Sequence, residues 1–378
     1  MKYKIIDTDS DLEEIAVTLE KEKVIAVDLE ADSMFHFKEK VCLIQIATKK
    51  ENLIIDPLKI NDLSSMKSLF CNSGIKKIFH GADYDVRSLY RDFAIEINNI
   101  FDTQLACMFL GINKTGLDCV LKSRFNVSVD KKYQKKDWSQ RPLPDEMIEY
   151  AAMDTKYLVM LAEILEKELK IKNRLFWVNE ECEYLSKVRH CPGNNMPLYR
   201  KVKGFRRLNY SSIAVLEKLL RFRVLAAKKK DRPLFKILST NSLKQISTEK
   251  PSDIEALKKM KVLSNKQISM YGKTIINLIN QAMAEPEQRV SMYSNPSPSP
   301  SPFSAPDPKL IKTLKKWRDD RAGEMQIAPG LFCNNALLNS IAIQHPKSID
   351  SLAQIKDIKQ WRLKTFGEEI LLQIKQRN

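Results

Sequence analysis

The sequence predicts an α/β front domain, a mixed sheet flanked by helices, followed by two small all-α modules. Three observations predict it. Short apolar runs alternate with helical patterns through the front half of the 378-residue chain. A Pro- and Ser-rich stretch, Asn295-Pro-Ser-Pro-Ser-Pro-Ser-Pro302, interrupts the back half. The helical segments on either side of it repeat each other at an offset of 95 residues. A chain of this length accommodates two or three domains and a well-buried core.

Met1 to Asp7 runs straight into a strand-like pattern followed by acidic residues, and lacks the apolar core of a signal peptide. Val24-Ile25-Ala26-Val27 reads as a buried strand and ends in Asp28-Leu29-Glu30. Further strand patterns fall at Val41 to Thr48, Asn52 to Asp56, Lys77 to His80 and Asn99 to Asp102. Helical patterns lie near Leu63 to Phe70 and Asp83 to Asp92. Short connections between the first three strands suit a β-meander. The later strands are separated by helices, which suits parallel pairing. From Pro144 to about Val188 the chain is mostly helical, with Met147, Tyr150, Ala151, Asp154, Tyr157, Leu158 and Leu161 spaced by threes and fours.

Domain boundaries follow from texture. The front domain covers residues 1–188, a connector 189–208, the first helical module 209–284, a linker 285–308 and the second helical module 309–378. Pro-Ser repeats favour an extended, poorly packed chain, hence the linker. The repeat places Phe222-Arg223 on Trp317-Arg318, Leu243 on Leu338, Pro251 on Pro346, Leu257 on Leu352 and Gly272 on Gly367. Two merely amphipathic segments would not keep both a proline and a glycine in register, so these are two copies of one domain.

The net charge is +16, and it is uneven. Residues 201–285 carry 19 Lys and Arg against 6 Asp and Glu, while the first 200 residues are close to neutral. This division places chemistry in front and a grip on a polyanion behind. No apolar stretch approaches the roughly 20 residues of a membrane span. Seven cysteines without a Cys-x-x-Cys pair give neither a disulfide framework nor a thiol metal site. The compartment expected is reducing and cytoplasmic, and a monomer is the default.

Side chains alternate along a strand, so Asp28 and Glu30 share one face. Two like charges there call for a cation, and oxygen ligands suit a hard divalent ion. On these residues alone, an ordinary solvated Asp-x-Glu is the commoner outcome. His80-Gly81-Ala82-Asp83-Tyr84-Asp85 joins a strand end, a Gly turn and a helix start. Helix capping would account for either aspartate there, and at most one of them faces Asp28 and Glu30. Tyr150 and Asp154 lie four apart on one helix face.

Taken in order, these segments resemble the three motifs of the DEDDy 3′–5′ exonucleases, which share a ribonuclease-H-like fold. The resemblance selects Asp85, because an apolar residue and a helix follow it. Asp137-Trp138-Ser139-Gln140-Arg141-Pro142-Leu143 resembles a stretch typical of the ribonuclease D branch. The twin modules resemble HRDC domains. The likeness covers about residues 1–188, 209–283 and 309–378. One departure is Ala31, where the family pattern has Phe after Asp-x-Glu.

The resemblance implies a catalytic set of Asp28, Glu30, Asp85, Tyr150 and Asp154. The four carboxylates would hold two divalent ions, Mg²⁺ or Mn²⁺. Asp28, Glu30 and Asp154 would hold the ion that activates water; Asp28 would bridge to the second, with Asp85 acting through water. Tyr150 would orient the attacking water. The activity implied is removal of nucleoside 5′-monophosphates from a free RNA 3′ end, with tRNA precursors as the substrate class. A DNA exonuclease of the same superfamily and a silent RNA-binding protein are the alternatives. Phe35, His36 and Phe37 are candidates for stacking on terminal bases. Lys135 is a candidate phosphate contact, alongside Lys131, Lys132 and Lys136. Lys228, Lys229, Lys230 and Arg232 are candidates for gripping folded RNA. The second repeat is less basic, which suits packing against another domain.

Overall fold

The computed structural model describes residues 3–189, 196–284 and 306–376. The chain divides into two compact units, one of residues 1–31, 41–190 and 301–378, the other of residues 32–40 and 191–300.

The first unit is built on six strands: β1 (Lys4–Ile6), β2 (Val24–Ala31), β3 (Val41–Ala47), β4 (Asn52–Ile55), β5 (Lys76–Phe79) and β6 (Ile100–Asp102). Their order is β1-β4-β3-β2-β5-β6. β2, β3 and β4 form the expected antiparallel meander. β5 joins β2, and β6 joins β5, in parallel. β1 pairs in parallel with β4. Eight helices accompany the sheet: α1 (Asp9–Leu19), α2 (Ser65–Cys71), α3 (Asp83–Phe93), α4 (Thr103–Leu110), α5 (Leu117–Phe125), α6 (Asp145–Lys156), α7 (Leu158–Ile171) and α8 (Leu175–Ser186).

Every residue of β3 and β4 is buried, so both sheet faces are covered. Alternation divides the side chains between two cores. Ile44 and Ile46 join Ile15, Leu161 and Leu165 on one face. Leu43 and Ile54 join Trp138, Met147, Ala151 and Ala152 on the other. That second core seats α6.

The second helical module belongs to this unit. Its helices are Pro308–Met325, Pro329–Phe332, Asn335–Gln344, Ile349–Ala353 and Gln360–Lys375. Trp361 stacks on Trp177 of α8 at 4.7 Å, and Phe109 meets Trp361 edge-on at 5.6 Å. Helix Gln360–Lys375 has no cap from its own side chains. Glu180 of α8 replaces it, accepting the Gln360 and Trp361 N–H groups at 2.7 Å. Glu181 accepts the Trp361 indole N–H at 2.9 Å and pairs with Lys359 and Arg362. The less basic repeat is therefore joined to the sheet domain.

The second unit holds the first module: helices Tyr210–Lys230, Leu234–Ile237, Thr240–Glu249, Ile254–Lys259 and Asn265–Met283. The internal repeat is structural. Arg223 donates to the Leu238 carbonyl, and Arg318 to that of Cys333, the same place 95 residues on. A Cβ on Gly367 would lie 2.7 Å from Ile349 Cδ1, while one on Gly272 would meet Ile268 Cγ2 at 3.4 Å. Residues 196–208, read as connector, form two short turns, with Tyr199 and Val202 in the module's core. The linker reading 285–308 lies outside the described residues up to 305.

Candidate active site

Asp28 and Glu30 stand on β2, next to a register irregularity at Glu30 and Ala31. Both line a cavity of about 280 Å³, together with Tyr150 and Asp154. Gln45 is the cross-strand partner of Asp28 and so shares its sheet face. It is fully buried, and both of its amide atoms lack a partner among the described residues.

The turn after β5 brings in the third carboxylate. Gly81 sits at φ +90°, where L side chains are strained. Asp102, at the end of β6, holds the turn: its carboxylate accepts Gly81 N–H at 3.0 Å and Ala82 N–H at 2.9 Å. The same group caps α4 through Gln104 and Leu105. Helix α3 then starts with Ala82 as N-cap and no side-chain cap bond, so neither Asp83 nor Asp85 acts as that cap. The two aspartates point apart, as two helical neighbours must. Asp83 is 59% exposed and pairs with Arg87. Asp85 is 6% exposed and faces Asp28 and Glu30.

Helix α6 supplies the rest. Buried Ala151 and Ala152 let it approach the sheet, and the Asn52 amide of β4 donates to the Ala152 carbonyl at 2.7 Å. Trp138 packs beneath Tyr150 with ring centres 6.1 Å apart. Arg141 forms two 2.7 Å bonds to Asp56 and donates to the Cys42 carbonyl at 2.8 Å. The Trp138 to Arg141 stretch thus fastens the chain leading into α6 to the sheet. Tyr150 and Asp154 share the pocket face, close enough for the hydroxyl and the carboxylate to influence each other's protons.

The electrostatics are those of a carboxylate cluster whose shifts come from burial and like charge, with no cation among their causes. Burial pushes Asp28 up to about 7. Burial, then the neighbouring carboxylates, hold Glu30 and Asp85 well above the ordinary range; Asp154 is raised by burial and by Asp28. Burial and the same carboxylates raise Tyr150. Among the described residues no three Asp, Glu, His or Cys side chains form a ready-made coordination shell. The four carboxylates are an open set. Their all-oxygen chemistry, their mutual repulsion and the orphaned Gln45 amide beside them fit hard divalent cations.

The other candidates are distributed differently. Phe37 packs against the core of the first module, and Lys236 lies 4.2 Å above the Phe35 ring. His36 Nδ1 is 2.6 Å from Asp231, which also accepts the Phe37 N–H. The surfaces proposed for base stacking are thus partly occupied inside the second unit. Lys135 is exposed between α5 and α6. Lys228, Lys229, Lys230 and Arg232 are exposed at the end of helix Tyr210–Lys230 and just beyond. Lys230 and Arg232 line a second cavity with Lys236, Lys266 and Tyr271.

Residues 3–170 match the 3′–5′ exonuclease family, and residues 212–279 and 307–374 each match the HRDC domain. Ribonuclease D from Gluconacetobacter diazotrophicus is 26% identical over 97% of this chain and 91% of its own. Protein RRP6-like 3 from Arabidopsis thaliana is 41% identical over 169 residues, 44% of this chain and 19% of its own. The chain spans only about a fifth to two fifths of the three RRP6-like proteins of that plant. In the crystal structure of Escherichia coli RNase D the fold recurs with a TM-score of 0.74, 24% identity and coverage of 100% and 99%. The mixed sheet flanked by helices is thus an exonuclease domain, and HRDC domains follow it. The chain carries a 3′–5′ exonuclease domain followed by two HRDC domains, and its likeness to ribonuclease D runs over nearly its whole length.

Proposed function

We propose that this protein is a metal-dependent 3′–5′ exoribonuclease that trims structured RNA precursors, with tRNA 3′ ends as its substrate class. The observation that carries the reading is the convergence of Asp28, Glu30, Asp85, Asp154 and Tyr150 on one face of the sheet. Likeness to ribonuclease D over nearly the whole chain supports it. The superfamily is generally dependent on divalent metal. Asp28, Glu30, Asp85 and Asp154 would hold divalent ions, and these would supply an acidified water, charge relief on the phosphate and support for the leaving 3′-oxygen.

The chain's own residues do the rest. By the family likeness Asp28, Glu30 and Asp154 would serve the attacking water and Asp85 the leaving group. Tyr150 remains a phenol, so it orients the water by hydrogen bonding and does not take its proton. The cavity admits the terminal nucleotide, and hydrolysis releases it as a nucleoside 5′-monophosphate. The cationic cleft of Lys230, Arg232, Lys236 and Lys266 grips the RNA body.

The test is a time course on RNA labelled at its 5′ end, with Mg²⁺ or Mn²⁺ or chelator, beside a matched DNA strand. The expected result is a ladder shortening from the 3′ end, only with metal, faster on RNA, and absent in Asp28→Asn. Equal trimming of DNA would reassign the substrate; intact RNA with every metal would refute catalysis.

A further inference from the structure

Among the described residues, the cavity of the candidate site has one Lys or Arg in its lining. It is Lys131, set against Asp28, Glu30 and Asp154. It sits on the short turn Lys131–Tyr133, which Asp130 caps through the Lys132 N–H at 2.9 Å. Its ammonium lies 2.8 Å from Asp118 Oδ1 in the first turn of α5. Lys131 is 57% exposed and Asp118 26%, so the amine stands at the open side of the pair.

The wall that carries this pair is built. His80 Nε2–H donates to the Thr115 carbonyl at 2.8 Å, and Nδ1 lies 2.9 Å from the Thr103 hydroxyl. That bond pins the chain just before α5. A Cβ on Gly116 would lie 2.8 Å from Asp118 Oδ1 and 3.9 Å from Lys131 Nζ, so the turn passes close to the pair. An exposed Lys–Asp pair contributes little to stability. An ammonium makes a charge-assisted bond to a phosphate as it does to a carboxylate, so the exposed Lys131 amine can exchange one for the other.

We propose that Lys131 is the phosphate-binding residue of the catalytic pocket. It grips the phosphate of the nucleotide being removed and, after hydrolysis, that of the released nucleoside 5′-monophosphate. Asp118 parks the amine at the wall when the pocket is empty. The inference rests on the exonuclease reading above.

The experiment is inhibition of RNA trimming by adenosine 5′-monophosphate, with adenosine as the control, in wild type, Lys131→Met, Lys131→Arg and Asp118→Asn. In Lys131→Met the inhibition constant of the monophosphate and the KM for RNA rise about tenfold or more, the scale of a lost charge-assisted bond. Lys131→Arg recovers part of the loss. Asp118→Asn, which frees the amine, leaves monophosphate inhibition unchanged or strengthens it. Adenosine inhibits all four alike. If Asp118→Asn loses monophosphate inhibition as Lys131→Met does, the pair merely braces the wall and the proposal falls. It falls too if Lys131→Met is inhibited as strongly as wild type. A wild-type protein that trims no RNA would overturn the exonuclease reading, and this proposal with it.

Discussion

Burial and the facing carboxylates hold the Tyr150 hydroxyl above its ordinary range, so it acts as a hydrogen-bonding phenol. Tyr150→Phe is therefore expected to lower kcat by on the order of 100-fold while RNA binding is kept, the scale of a lost positioning group. Steady-state kinetics check this, and a change confined to KM would contradict it. The carboxylates make a second prediction. Asp28, Glu30, Asp85 and Asp154 hold their protons to higher pH in the fold than in the unfolded chain. Their contribution to stability is thus complete below the unfolded carboxylate range. It is lost as pH rises from about 4 through the folded value, about 7 for Asp28. Melting of the chelated protein should show that loss, and added Mg²⁺ should reverse it above pH 7. Asp28→Asn should raise the melting temperature of the chelated protein at pH 8 while abolishing activity. A lower melting temperature would contradict the repulsion.

Helix α6 was legible because Tyr150 and Asp154 fall four apart, and the structure puts both on the cavity face. Asp102 was not legible as a positioning residue. It ends a strand pattern, and the Gly81 and Ala82 N–H groups it holds lie some 20 residues upstream. Arg141 carried a family likeness, yet its partners Asp56 and Cys42 are 85 and 99 residues away. Helices α4 and α5 went unread because short apolar runs such as Leu105 to Leu110 do not separate helix from strand. The interface of α8 with helix Gln360–Lys375 was foreseen only as a tendency to pack. Glu181 there faces Lys359 and Arg362, both largely buried. Glu181→Ala leaves those charges unpaired and should lower stability in urea unfolding by about 3 kcal/mol. A loss under about 0.5 kcal/mol would show that the aromatic cluster alone holds the module.

At the scale of the whole molecule, the chain keeps its negative cluster in the sheet domain and most of its excess positive charge in the first helical module. The repeat was legible because Pro251 and Pro346, Gly272 and Gly367, and Phe222-Arg223 and Trp317-Arg318 keep one register, and the two arginines make the same carbonyl bond in both copies. What each copy packs against was not, since it depends on partners such as Glu180 that cap a helix from outside. The central claim is that four proton-holding carboxylates gather divalent metal. Calorimetric titration of Mn²⁺ near pH 7, repeated in buffers of different ionisation enthalpy, tests it most directly. Binding should release protons, because Asp28, at about 7, still holds a proton part of the time near pH 7 without metal, and burial raises its neighbours in the same direction. Both the binding and the proton release should collapse in Asp28→Asn. Binding without proton release, or binding that Asp28→Asn leaves intact, would contradict the account.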